Sequence, residues 1–75
     1  MIKVYGLGLS FPVNRVRMCL NAMGIDYEFI VINPLAGETQ NEEYLKMSPS
    51  GKIPALDDDG FYLFESNAIM KYLCR

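Results

Sequence analysis

The sequence predicts an α/β domain with helices covering a four-stranded mixed sheet, in the order β-α-β-(α)-β-β-α. Three observations carry this prediction. Residues 2–32 read as strand, helix and strand. Residues 53–64 hold two short apolar runs separated by an Asp-Gly turn, and residues 66–73 close the chain with apolar residues at helical spacing. The 75 residues are 51% apolar and 21% charged. That balance suits one domain with a single modest core, because a chain near this size buries only about 60% of its extended surface.

Each element has a local reason. Ile2 to Tyr5 is a short apolar run bounded by Gly6 and Gly8, which reads as a strand entering a turn. From Pro12 to Met23, the residues Val13, Val16, Leu20 and Met23 recur at spacings of three and four, and Cys19 widens the stripe. This is a helix with one buried face. Pro12 suits its first turn, where the missing N–H removes no hydrogen bond, and Gly24 suits its stop. Tyr27 to Ile32 is rich in β-branched and aromatic residues, the pattern of a strand buried on both faces. Asn33-Pro34 ends it. A short helix is expected over Glu42 to Met47, and Ser48-Pro49-Ser50-Gly51 is a loop by composition. Ile53 to Leu56 and Phe61 to Phe64 are hairpin strands about Asp57-Asp58-Asp59-Gly60. Ser66 to Leu73 sets Ile69, Tyr72 and Leu73 on one helical face.

Composition narrows the chemistry. Seven basic residues against nine acidic ones give a net charge of −2, unlike the basic face that releases counterions from nucleic acid. No apolar run approaches the roughly 20 residues that cross a bilayer. The first residues also lack the pattern of a signal peptide, so no membrane or nucleic-acid partner and a cytoplasmic setting are expected. There is no histidine, and Cys19 and Cys74 form no Cys-x-x-Cys pair. A metal site is therefore not expected. Two reduced thiols are the plain reading of the cysteines, and one long-range disulfide is the alternative. The acidic triplet reads as a solvated turn.

Three places could carry function. Pro54 has no N–H for a sheet ladder and belongs at a strand start or edge. Its preceding bond is either trans, as in an ordinary strand start, or cis. In the cis case the backbone of Ile53 would be free to pair with an extended peptide. Glu65-Ser66 stands before the last helix. Ser66 is a good N-cap, yet a helix start also attracts anions. The two residues together suit the carboxylate and ammonium of an α-amino acid terminus. Ser10, in the turn before the first helix, is either a cap or a hydroxyl donor aimed into a cleft at the top of the sheet.

Taken together, these residues resemble a known family. Ser48-Pro49-Ser50-Gly51-Lys52-Ile53-Pro54-Ala55-Leu56 and Asp58-Asp59-Gly60-Phe61-Tyr62-Leu63-Phe64-Glu65-Ser66 carry the likeness. Ala68-Ile69, Tyr72-Leu73, Gly24-Ile25-Asp26-Tyr27-Glu28 and Gly37-Glu38 extend it over nearly the whole chain. The match is to the N-terminal domain of glutathione S-transferases. It is nearest the serine-using phi and theta classes, because Ser10 stands five residues before Arg15 as in the phi pattern.

The resemblance implies a thioredoxin-like fold over residues 1–75 that binds glutathione as co-substrate. It implies that Ser10 donates its hydroxyl to the glutathione sulfur and that Pro54 is a cis-proline, with Ile53 pairing to the cysteinyl part. Glu65 and Ser66 would hold the γ-glutamyl end, and Lys52 would approach the glycyl carboxylate. Two departures stand out. Thr39 and Gln40 follow the Gly-Glu pair where a histidine and a lysine are usual, and Ser48 replaces the familiar asparagine. Gln40 is thus a substitute contact to the glycyl end. A dithiol redox enzyme of the same fold would need Cys-x-x-Cys where Ser10-Phe11-Pro12-Val13 stands.

The function implied is activation of the glutathione thiol for conjugation to a small electrophile, in the manner of a detoxifying transferase. The alternative is a non-catalytic, transferase-like protein-interaction module. The family continues into a helical C-terminal domain and is often dimeric. The chain is accordingly expected to be an isolated domain or a fragment, with a helix face at Met70 and Cys74, or at Met18 and Met23, left exposed.

Overall fold

The computed structural model describes residues 1–74. Its elements are β1 (Ile2–Gly6), α1 (Phe11–Ala22), β2 (Tyr27–Val31), α2 (Glu42–Met47), β3 (Ala55–Asp58), β4 (Phe61–Phe64) and α3 (Ser66–Leu73), with 3₁₀ turns at Pro34–Ala36 and Glu38–Gln40. The sheet runs β2-β1-β3-β4. β1 and β2 are parallel, joined through α1, while β3 is antiparallel to both β1 and β4. The mixed sheet follows from the connections: a helical crossover returns a parallel strand, and a tight turn returns an antiparallel one.

Register sorts the side chains by face. Phe29, Val4, Leu56 and Leu63 lie opposite one another across the four strands. This row packs against Val16 and Leu20 of α1 and Ile69 and Leu73 of α3 to form the main core. Burying aliphatic side chains of this size contributes roughly 1.5–3 kcal/mol each. α1 approaches β1 closely because Gly6 has no side chain; a Cβ there would stand 2.5 Å from Val13 Cγ2. On the other face Tyr5 and Ala55 form a smaller core with Tyr44 and Met47 of α2. The Tyr5 and Tyr44 rings meet edge to face at 6.3 Å. Short as it is, α2 is well started: Asn41 caps it by accepting from Tyr44 N at 2.7 Å. Glu42 and Glu43 sit in its first turn and Lys46 in its last, matching the helix dipole.

Several expectations need correction. Tyr27 to Ile32 is not buried on both faces. β2 is an edge strand, and Glu28 and Val31 are exposed. Its aromatic residues are held instead by Arg17, whose guanidinium lies 4.1 Å from the Phe29 ring centroid and donates to Tyr27 Oη at 3.4 Å. Met23 leaves the buried stripe because α1 ends at Ala22, and Met23 is 44% exposed beyond the last turn. β3 begins at Ala55, two residues later than expected, since Pro54 offers the ladder no N–H. It then runs through Asp57 and Asp58, so the turn narrows to Asp59 and Gly60, both at positive φ. The three carboxylates have separate partners. Asp57 accepts from Gly60 N at 2.7 Å, Asp58 from Tyr72 Oη at 2.6 Å, and Asp59 from the terminal ammonium at 2.8 Å. Met18, Met23 and Cys74 are exposed, but Met70 is half-buried against the main core. No helix among the described residues is long and apolar enough to cross a membrane.

Candidate glutathione site

β1 and β4 end, and β3 begins, at one edge of the sheet. α1 and α3 both start there. Those segments enclose a cavity of about 230 Å³ lined by Pro12, Ser50, Lys52, Ile53, Pro54, Glu65, Ser66 and Asn67. Of the residues singled out from the sequence, Lys52, Ile53, Pro54, Glu65 and Ser66 are therefore brought together, although 13 positions separate the first from the fourth. Ser10 and Gln40 are not part of the walls.

The Ile53-Pro54 bond is cis. The loop before it is fixed from below. The Tyr44 hydroxyl donates to the Lys52 carbonyl at 2.8 Å, and the Ser48 hydroxyl donates to the same oxygen at 2.9 Å. Both lone pairs of that carbonyl are thus engaged. Ser48, the departure from the familiar asparagine, is wholly buried in this role. Burial pushes the Tyr44 hydroxyl up to about 12, so Tyr44 stays a donor at neutral pH.

Gly51 turns the loop at φ 68°. A Cβ there would stand 2.6 Å from Gln40 Nε2 and 3.3 Å from the Thr39 carbonyl. Gln40 therefore lies directly over the loop that supplies Ser50 and Lys52, although its own side chain stays outside the cavity wall.

The other wall is the β4–α3 junction. Ser66 is the first residue of α3 and not its cap; Glu65 holds the cap position. Glu65 adopts φ 70°, ψ 127° and makes no side-chain capping hydrogen bond. A positive φ in a residue with a Cβ costs of order 1–3 kcal/mol and is kept only where the surroundings enforce it. Here it directs the chain from β4 into a helix whose start, Ser66 and Asn67, faces the cavity. Ser10 does occupy the N-cap position of α1, at φ −82° and ψ 125°, but its side chain makes no capping hydrogen bond. Pro12, two residues on, lines the cavity. The site thus has two helix N-termini, one lysine and one glutamate at its edge, a set that accommodates an anionic ligand with one cationic end.

Sequence reasoning missed Pro12, Ser50 and Asn67 as cavity residues. Pro12 was fully accounted for as a helix starter, and nothing in the spacing of Ser50 or Asn67 distinguishes a wall from a loop.

The family model for the glutathione S-transferase N-terminal domain matches residues 1–75. The chain belongs to that family. Among relatives, it is 44% identical to glutathione S-transferase hmp2 of Hypomyces subiculosus over its whole length. It is 42% identical to glutathione S-transferase 1 of Zea mays over 99% of the chain. Among solved structures, a diazinon-metabolizing glutathione S-transferase of the silkworm Bombyx mori is similar at a TM-score of 0.94 and 42% identity, covering 99% of this chain and 37% of that one. The fold of this transferase domain is thus thioredoxin-like, as the sequence implied. The plant and fungal relatives agree with the serine-using, phi-like resemblance. The chain spans about a third of the length of the curated relatives it matches, 34% of the first and 35% of the second.

Proposed function

We propose that this domain binds glutathione and readies its thiol for attack on an electrophile, as the N-terminal part of a glutathione S-transferase. The observation that carries the reading is the meeting of Lys52, Ile53 and Pro54 with Glu65 and Ser66 around one cavity. In this reading Ser66 and the start of α3 receive the γ-glutamyl carboxylate, and Glu65 holds the neighbouring ammonium. The main chain at Ile53, before Pro54, pairs with the cysteinyl part, as a strand edge pairs with a peptide. Lys52 approaches the glycyl carboxylate, with Gln40 beside it over the Gly51 turn.

Ser10 is the activating residue. A thiol of pKa about 8.5 is only a few per cent ionised at neutral pH, and lowering that value by two units needs about 2.7 kcal/mol in favour of the thiolate. A hydroxyl not committed to capping α1 is available to donate to the sulfur, and the N-terminus of α1 adds a favourable dipole. Ser10 acts as a donor and not as a nucleophile in this reading, since none of these 75 residues is a histidine that could take its proton. We further propose a cytoplasmic, dimeric enzyme in a detoxifying role, with the electrophile pocket formed mostly by a helical domain in cis. The relatives' greater length supports that arrangement.

Calorimetric titration of the full gene product with glutathione tests the reading. Heat of binding at millimolar ligand is expected, and its absence would favour the interaction module. Ser10→Ala is expected to raise the bound thiol by about two units while affinity stays within a factor of about three. An unchanged thiol pKa removes Ser10 from the mechanism.

A further inference from the structure

Ser10 ends the turn between β1 and α1, which is closed by its own N–H donating to the Leu7 carbonyl at 3.0 Å. The turn contains Gly8, whose backbone has the widest choice of angles. A hydroxyl carried on such a turn points one way only if something outside the turn restrains it. Asn14, the fourth residue of α1, supplies that restraint. Its side-chain Nδ2 donates to the Gly8 carbonyl at 2.8 Å, and its backbone N–H donates to the Ser10 carbonyl at 3.0 Å. The second bond is one that any residue at this place in the helix makes. The first is particular to asparagine, because it needs a short side chain with an N–H donor.

The amide is itself held. Arg17, one turn further along α1, donates from Nη1 to Asn14 Oδ1 at 3.4 Å. With a guanidinium donor on one side and a carbonyl oxygen on the other, only one orientation of the amide satisfies both. Arg17 is anchored in turn on β2, over the Phe29 ring and against Tyr27 Oη. A chain of contacts thus runs from the edge strand through Arg17 and Asn14 to the turn that carries Ser10, two residues before the cavity-lining Pro12.

We propose that Asn14 is a positioning residue for Ser10, clamping the turn so that the Ser10 hydroxyl faces the glutathione sulfur. It acts through Ser10, and the inference rests on the reading of Ser10 as the activator of the thiol. A turn free to rock would spread the hydroxyl over many directions, and a hydrogen bond weakens steeply once its angle falls below about 120°. Loss of the clamp therefore removes thiolate stabilisation and spares binding, which Ile53, Glu65 and Ser66 carry.

The test measures the pKa of the glutathione thiol bound to the full gene product, from the ultraviolet absorbance of the thiolate against pH. The parent, Asn14→Ala, Ser10→Ala and the double variant are compared. Ser10→Ala should raise the bound thiol by about two units and Asn14→Ala by about one, a roughly tenfold fall in the ratio of thiolate to thiol. In the Ser10→Ala background, Asn14→Ala should move the value no further, whereas a general disturbance of the helix start would shift both backgrounds alike. Glutathione affinity should stay within about threefold of the parent throughout. The two failures differ. If Ser10→Ala raises the pKa and Asn14→Ala does not, or if Asn14→Ala raises it equally in both backgrounds, the positioning role falls while the activating role stands. If Ser10→Ala itself changes nothing, the activating role falls and takes this inference with it. Should Asn14→Ala fold poorly, Arg17→Lys decides, because it keeps the charge but replaces the fork that bridges Tyr27 and Asn14 with a single ammonium. It should raise the bound thiol's pKa only while Ser10 is present; an unchanged value overturns the clamp.

Discussion

Glu65 performs two tasks that substitution can separate. Its backbone sits at φ 70°, where glycine is strained less than a residue with a Cβ, and the residue lines the cavity beside Ser66. Glu65→Gly relieves the backbone but removes the charge, whereas Glu65→Gln keeps the backbone demand and removes only the charge. Both variants should therefore lose glutathione affinity by tenfold or more, a cost of about 1.4 kcal/mol or above, when titrated calorimetrically. Their melting temperatures should diverge, with the glycine variant equal to or above the parent and the glutamine variant at or slightly below it. Equal affinity in parent and glutamine variant would show that the carboxylate holds no ammonium. The sequence made Glu65 a candidate through its neighbour Ser66. It did not reveal the positive φ, because nothing about a glutamate before a helix announces a left-handed backbone.

At the scale of elements, the cavity depends on how α2 and the loop after it brace the chain before β3. Tyr44 and Ser48 both donate to the Lys52 carbonyl, and Gly51 lets Gln40 and Thr39 close over the turn. Gly51→Ala would force a Cβ against Gln40 Nε2 and the Thr39 carbonyl at a φ that alanine disfavours. Gln40 can swing aside, but the Thr39 backbone and the dihedral cannot. The variant should lose roughly 1–3 kcal/mol of stability in denaturant unfolding, together with glutathione affinity, because the displaced loop carries Ser50 and Lys52. A fully stable Gly51→Ala protein would mean the loop is free to relax. The elements themselves were legible wherever one signal dominated: Val13, Val16 and Leu20 for α1, Ile69 and Leu73 for α3, Asp59-Gly60 for the hairpin. They were misread where a residue's surroundings depend on sheet order. The apolar Tyr27–Ile32 run looks central, yet β3 pairs with the other side of β1 and leaves β2 at the edge. No local pattern encodes that choice.

For the whole molecule, the two cores on opposite faces of the sheet respond differently to pH. The aliphatic core of α1 and α3 is built from Val16, Leu20, Leu56, Ile69 and Leu73, none of which titrates. The core under α2 is centred on Tyr44, raised to about 12, with Tyr5 beside it also raised, in both cases chiefly by burial. A phenol whose folded pKa lies above its unfolded value of about 10 keeps its proton longer in the native state. Its contribution to stability is complete below pH 10 and is lost as pH rises from 10 through 12. The loss begins at the face that braces the cis-proline loop, since an ionised Tyr44 no longer donates to the Lys52 carbonyl. Melting temperature should consequently fall across that window. Tyr44→Phe should be less stable than the parent at neutral pH, through the lost hydrogen bond, and should fall less steeply above pH 10, because one of the two raised phenols is gone. Glutathione affinity in Tyr44→Phe should drop modestly, with Ser48 still holding the carbonyl. If parent and variant fall with the same slope between pH 10 and 12, the alkaline sensitivity belongs to Tyr5 or to exposed groups, and the hydroxyl of Tyr44 is not what couples the second core to the site.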